Sequence, residues 1–343
     1  MAERKQYLDV LRALSTIGVI VIHVCSSGWY GNVCSFNWIV STVLECVSRI
    51  SVPIFFMISG NLLLNSSKEY NYPVMLKKIL RLVVFLLVWS IVYNLFSFFE
   101  QKDFSVSELV KCFTGIFYGE VPHHLWYIYA SIGLYLFVPV LRILCKNIDR
   151  KTFLIFLVLL IVLGGGYEFF SNIHQLDFIS INLKKINAHS SVGYFGYFLL
   201  GAYLGKYEVK YKRIIYVCGI VAMFVTIGLV IYDNAVIQSP SERFWVYTMP
   251  AIYLSSIAFY VFVKELCSKH QFHFRIIELI SKESLGIYGC HVLVLRILSH
   301  FGLDINICLY LISIPLLVLI VLCISTLVSF LLKIIPYVGK MIS

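Results

Sequence analysis

LDVLRALSTIGVIVIHVC, residues 8–25, decides how this chain is read. The stretch is apolar and long enough to cross a bilayer, yet it carries Arg12 and His23. An ionisable group at membrane depth is costly unless it faces a partner or a wet cavity, so such residues read as functional by default. Eleven residues at about 100° each make three turns plus roughly 20°, which puts both side chains on one helix face. At 1.5 Å per residue they stand about 16 Å apart along the axis. An arginine at one end and an imidazole three turns deeper read as two ends of one elongated site. The alternative is an arginine snorkelling to the interface and a histidine bonded to a neighbouring helix.

The rest of the chain has the same character. Of 343 residues, 60% are hydrophobic and 13% charged, and continuous apolar runs recur at transmembrane length. The expected fold is all-α and polytopic, a single transmembrane domain over residues 1–343. About ten spans are expected, at 8–27, 38–64, 79–99, 125–145, 152–167, 191–205, 214–232, 244–263, 284–300 and 307–332. Runs that do not alternate exclude a β-barrel. The opening MAERKQ resembles the n-region of a signal peptide, but Arg12 and His23 in the run that follows point to an uncleaved span.

The net charge of +10 does not point to nucleic acid, because the basic residues sit in short loops and orient the chain. Of 28 lysines and arginines, twenty fall at one set of span ends. Five (Lys102, Lys111, Lys184, Lys185 and Arg243) fall at the other, and Arg12, Arg49 and Arg296 lie within spans. That bias places both termini in the cytoplasm. Two external segments, 100–124 and 168–190, are long enough to hold structure of their own, the first as a short helix from Ser105 or Ser107 through Tyr118. Either would lie over the outer mouth of a cavity as part of an acceptor site. The ten cysteines show no metal spacing and read as small buried residues, with Cys25 and Cys34 close enough in sequence to pair near the outer face.

Several further groups carry possible chemistry. Glu45 and Arg49, four apart in the second span, neutralise each other or leave Glu45 to orient His23 as the third member of a triad. Lys78 and Arg81 begin the third span on neighbouring helical positions, where plain positive-inside anchoring is the other reading. Ser284 and His291 are seven apart and share a face. Trp126 and Tyr127 lie just inside the outer face, as acceptor contacts or as aromatic belt. His123 and His124 precede them as acceptor contacts at the outer mouth and are a poor metal site by themselves. Pro53 with Ser59 and Gly60 marks a bend or close packing in the second span.

Taken in order, these pieces resemble the acyltransferase family 3 membrane proteins. Arg12, ten residues, then His23 is similar to that family's signature. So are Val52-Pro53-Ile54-Phe55-Phe56-Met57-Ile58-Ser59-Gly60, Leu125-Trp126-Tyr127 with Tyr135 and Pro139, Tyr197 with Gly201, and Ser284-Leu285-Gly286-Ile287-Tyr288 with His291. The resemblance implies an O-acyltransferase, most simply an acetyltransferase, in a bacterial cytoplasmic membrane. Acetyl-CoA or another acyl-CoA would be the donor, and a hydroxyl of a cell-surface glycan or lipid-linked saccharide the acceptor. It implies that Lys78 and Arg81 handle the phosphates of coenzyme A, although lysine at the first position lacks the guanidinium fork, and that Ser284 and His291 line the donor cavity. Arg12 suits phosphate, because its fork donates paired charge-assisted hydrogen bonds, and His23 suits the general base. A thioester is already activated, so neither metal nor redox cofactor is expected. Beyond the bilayer, the donor and the acceptor, no partner is implied. The competing reading is a small-molecule transporter or polysaccharide exporter that performs no acyl transfer, with Arg12 and His23 as ligand or proton sites.

Overall fold

The computed structural model describes residues 5–101, 105–107, 110, 114, 122–185, 193–270, 274–335 and 339–342, which are helical without a strand. The principal helices are α1 (Gln6–Trp29), α2 (Phe36–Ser48), α3 (Ser51–Leu64), α4 (Tyr72–Gln101), α5 (Trp126–Asn147) and α6 (Arg150–Leu160). They continue with α7 (Gly166–Ser171), α8 (Asp177–Lys185), α9 (Gly193–Lys206), α10 (Lys212–Ile237), α11 (Pro250–Lys269), α12 (Arg275–His300) and α13 (Tyr310–Leu332). Among the described residues, eight helical stretches are long and apolar enough to cross a membrane. The two remaining expected spans exist as α9 and α12 but have a different composition. α9 has only 14 residues and is buried from Gly196 to Leu204, so it lies inside the bundle and not against lipid. α12 has 26 residues but carries Glu278, Lys282, Glu283 and Arg296, whose partners lie on other helices or along its own surface.

Local chemistry explains the breaks. Ser35 caps α2 by accepting from the Trp38 amide at 3.2 Å. The expected second span is broken at Arg49 and Ile50, four and three residues before Pro53. Pro53 therefore sits in the first turn of α3, where a missing N–H leaves no intrahelical bond unmade. Asp149 caps α6, accepting from the Lys151 and Thr152 amides; the Thr152 side chain, followed by these amides, holds its carboxyl below the usual range. The Gly164–Gly166 run lies where a π turn at Ile161–Gly165 passes into α7. The expected external segment at 168–190 is built from α7, a short turn and α8, and its last five residues lie outside the described residues. The helix expected between Ser105 and Tyr118 falls largely outside them as well.

Asp9 and Arg12 near the start of α1 meet Ser281 of α12. Ser329 and Lys333, at the end of α13, meet Glu283 two residues further on. The start of α1 and the end of α13 therefore lie at one end of the bundle. Lysines there close helix ends: Lys206 donates to the Cys145 carbonyl at 2.7 Å and Lys264 to that of Leu204 at 2.5 Å. The core is centred on α3 and α9, which approach backbone to backbone at Gly60 and Gly201. A Cβ on Gly60 would lie 1.8 Å from the Phe198 carbonyl oxygen, and one on Gly201 would lie 1.9 Å from that of Met57. The pairing of Cys25 with Cys34 does not occur: Cys25 is buried, Cys34 is exposed and both are free thiols.

Candidate functional site

α1 and α12 run side by side in the same direction, and this positions the site. Ten residues on α12 separate Ser281 from His291, and eleven on α1 separate Arg12 from His23. Arg12 meets Ser281, and three turns further His23 meets His291. The shared face read from the spacing is thus the face that α1 turns to α12. Arg12 Nη1 donates to Ser281 Oγ at 3.1 Å, Ser281 Oγ donates to Asp9 Oδ1 at 2.7 Å, and Asp9 lies 3.6 Å from the guanidinium. Ser281, one turn before Ser284, holds the arginine.

At the deeper end three histidines from distant parts of the chain converge. The His23 ring lies 5.0 Å from that of His291 and 5.9 Å from that of His124, centroid to centroid, and His124 lies 5.6 Å from His291. Tyr93 of α4 stands edge-on to His124 at 4.8 Å, and the Tyr288 hydroxyl donates to the His124 carbonyl. His124 and His291 are buried, and the Nε2 atom of each has no hydrogen-bond partner. Among the described residues, no group of three or more His, Cys, Asp or Glu side chains is placed to hold a metal ion.

His23 lines a cavity of about 1000 Å³ whose wall also includes His123, His124 and Glu168. Trp126 and Tyr127 are part of that wall and also part of an aromatic cluster. Trp126 lies 4.8 Å from Tyr194 and 5.7 Å from Tyr247, and Tyr127 lies 4.7 Å from Phe56. Glu45 reaches the same cavity, but its partner is Arg49, at 2.8 Å. That guanidinium stacks over Trp245 at 4.2 Å. No hydrogen bond joins Glu45 to His23 among the described residues, and the second Glu45 oxygen is buried without a partner.

A polar track links the two ends. Tyr135 of α5 lies within electrostatic reach of both Arg12 and Arg81, and Ser59 of α3 sits beside both Tyr135 and Tyr127. At the basic end Lys78 and Arg142 flank the ring of Tyr70 at 5.7 and 5.6 Å. Arg142 also donates to the Ser66 and Lys68 carbonyls at 2.6 and 2.7 Å. Burial, against the opposing pull of Arg142, pushes the Tyr70 hydroxyl up to about 12. Arg12, Lys78 and Arg81 therefore belong to one basic region, and His23, His124 and His291 to one imidazole cluster. Glu45, Trp126 and Tyr127 form the cavity beyond that cluster.

Sequence reasoning does not find Ser281, Tyr93, Trp245 or Tyr247. Each acts across a separation that no local pattern encodes, and the segment holding Trp245 and Tyr247 is irregular.

A family model described as an acyltransferase domain matches residues 5–334, nearly the whole chain. Neither a curated protein nor a solved structure matches it. The matched region contains both ends of the polar track and every helix that builds the cavity, and on that extent the chain belongs to acyltransferase family 3, a family of membrane acyltransferases.

Proposed function

We propose that the protein transfers an acyl group, most simply acetyl, from cytoplasmic acyl-CoA to a hydroxyl of a glycan or lipid-linked saccharide held in the external cavity. The observation that carries this reading is the placement of Arg12 and His23 at opposite ends of one helix face, Arg12 held by Ser281 and His23 at a large cavity.

Coenzyme A is a long molecule with phosphates at one end and a thioester at the other. Arg12, fixed by Ser281 and Asp9, presents its fork to phosphate at the basic end with Lys78 and Arg81. The pantetheine arm follows the track past Tyr135 and Ser59 to the histidines. His23 takes the proton of the acceptor hydroxyl as its oxygen attacks the thioester carbonyl. The C–S bond then breaks, and the same proton passes to the departing thiolate, giving an O-acyl ester and free CoA. On the acceptor side, Trp126, Tyr194 and Tyr247 offer apolar faces to sugar rings, while Glu45, Glu168 and Glu242 offer hydroxyl acceptors.

Envelope saccharides from cells expressing wild type or His23→Ala, compared by mass spectrometry, test the reading. Base-labile acyl esters should appear with wild type and vanish with the variant. Their absence from every fraction, together with failure of purified protein to consume acetyl-CoA, would defeat it and favour transport without catalysis.

A further inference from the structure

The three-histidine cluster contains a group whose role the acyl-transfer reading leaves unassigned. His291 is 1% exposed and sits behind His23 as seen from the cavity, whose wall includes His23, His124, Tyr288 and Val292 but not His291. Its Nδ1 lies 2.8 Å from the Tyr288 carbonyl oxygen and 3.1 Å from that of Ile287. Carbonyl oxygens only accept, so Nδ1 carries the hydrogen. In the neutral ring Nε2 is then a bare lone pair, and it is buried without a partner. An unpaired buried acceptor costs free energy that one donor would recover. The ring nearest to it is that of His23, 5.0 Å away between centroids and tilted by 57°. A turn of the half-buried His23 about its side-chain torsions brings a ring N–H within the roughly 3 Å of a hydrogen bond.

We infer that His291 is the positioning residue for His23. Its lone-pair nitrogen accepts the His23 ring N–H, fixing which nitrogen faces the acceptor hydroxyl and stabilising the imidazolium formed during transfer. A carboxylate does this in a triad; here a neutral imidazole held in one tautomer by its own helix does it. His291 neither gains nor loses a proton in the cycle. The inference rests on the reading of His23 as the base. It also explains why Glu45, committed to Arg49, is not needed for that task.

The test compares three variants in nanodiscs with acetyl-CoA as the probe. His291→Gln puts an acceptor oxygen near the Nε2 position. His291→Asn keeps a donor for the backbone carbonyls but has no acceptor toward His23, and His291→Ala has neither. Acetyl-CoA affinity should match wild type in all three. CoA release should stay within about tenfold of wild type for Gln and fall about 10- to 100-fold for Asn and Ala, the worth of a hydrogen bond to a charged group. A merely structural role through the backbone bond reverses the order, so Asn equalling or exceeding Gln overturns the inference. Selective 15N-histidine labelling supplies a readout independent of turnover: the resonances lost in His291→Gln must belong to an Nδ1–H tautomer, and an Nε2–H tautomer there also overturns it. If His23→Ala turns over like wild type, the base reading falls and this inference with it. If His23→Ala is inactive while Asn equals Gln, only this inference falls.

Discussion

Replacing Gly60 by alanine adds a single methyl where α3 and α9 meet. Its carbon would start 1.8 Å from the Phe198 carbonyl oxygen and 2.6 Å from the carbonyl carbon. Carbon–oxygen contacts across packed helices settle near 3.3–3.6 Å, so the backbones must separate by about 1.5 Å. Neither obstructing atom belongs to a side chain that could rotate away. Overpacking of this kind costs about 1–3 kcal/mol, and with backbone on both sides the upper end, about 3 kcal/mol, is expected. Gly133 in α5 and Gly228 in α10 supply the control, because a Cβ at either meets nothing within 4 Å. There alanine should stabilise by about 0.4–1 kcal/mol through its better helix propensity and a less free unfolded chain. The same substitution thus changes sign with position. Apparent unfolding midpoints of the purified variants, taken in one detergent, measure it: Gly60→Ala should fall by several degrees while Gly133→Ala and Gly228→Ala hold or rise. Gly201→Ala should resemble Gly60→Ala, and the double variant should lose less than the sum, since one separation relieves both clashes. A Gly60→Ala protein as stable as Gly133→Ala would refute the close approach of α3 to α9.

Other consequences concern the site. Glu45→Gln strips the charge partner from a buried arginine, and breaking such a pair costs about 3–5 kcal/mol; thermal stability should drop sharply, whereas an unchanged midpoint would mean that the pair is solvated. Ser281→Ala removes the hydroxyl between Asp9 and Arg12, so acetyl-CoA affinity measured by calorimetry should weaken about tenfold with turnover at saturation retained. Trp126→Ala opens the aromatic wall beside Tyr194 and Tyr247. It should lower acceptor-dependent turnover while leaving acetyl-CoA affinity intact, and an equal loss of both would assign Trp126 to the donor side.

Much of this architecture was legible in the residues themselves. The eleven-residue interval from Arg12 to His23 fixed a shared face by helix geometry alone, and the structure turns that face to α12. The apolar runs located the helices, because transmembrane length and continuity leave few alternatives. Two spans were harder to read. α9 is buried among other helices, so its 14 residues need not match a lipid core, and α12 carries charges satisfied by neighbours. The bend near Pro53 was anticipated, but the chain breaks earlier, at Arg49 and Ile50, so that the proline falls where a first turn tolerates it. Glu45 reads in sequence either as the partner of Arg49 or as the third member of a triad with His23, and the structure shows the Arg49 pair at 2.8 Å. His291 and His124 join the cluster through contacts spanning 268 and 101 positions, which no periodicity reveals.

In the proposed reaction one helix divides the labour, with Arg12 gripping the donor and His23 doing the chemistry. Acetyl-CoA binding and CoA release, measured side by side on purified wild type, Arg12→Ala and His23→Ala, test it most directly. Arg12→Ala should weaken binding by about 10- to 100-fold, the loss of a charge-assisted hydrogen bond to phosphate. His23→Ala should bind acetyl-CoA as wild type does and release no CoA above background. Binding unaffected by Arg12→Ala, or lost equally in His23→Ala, would contradict the account.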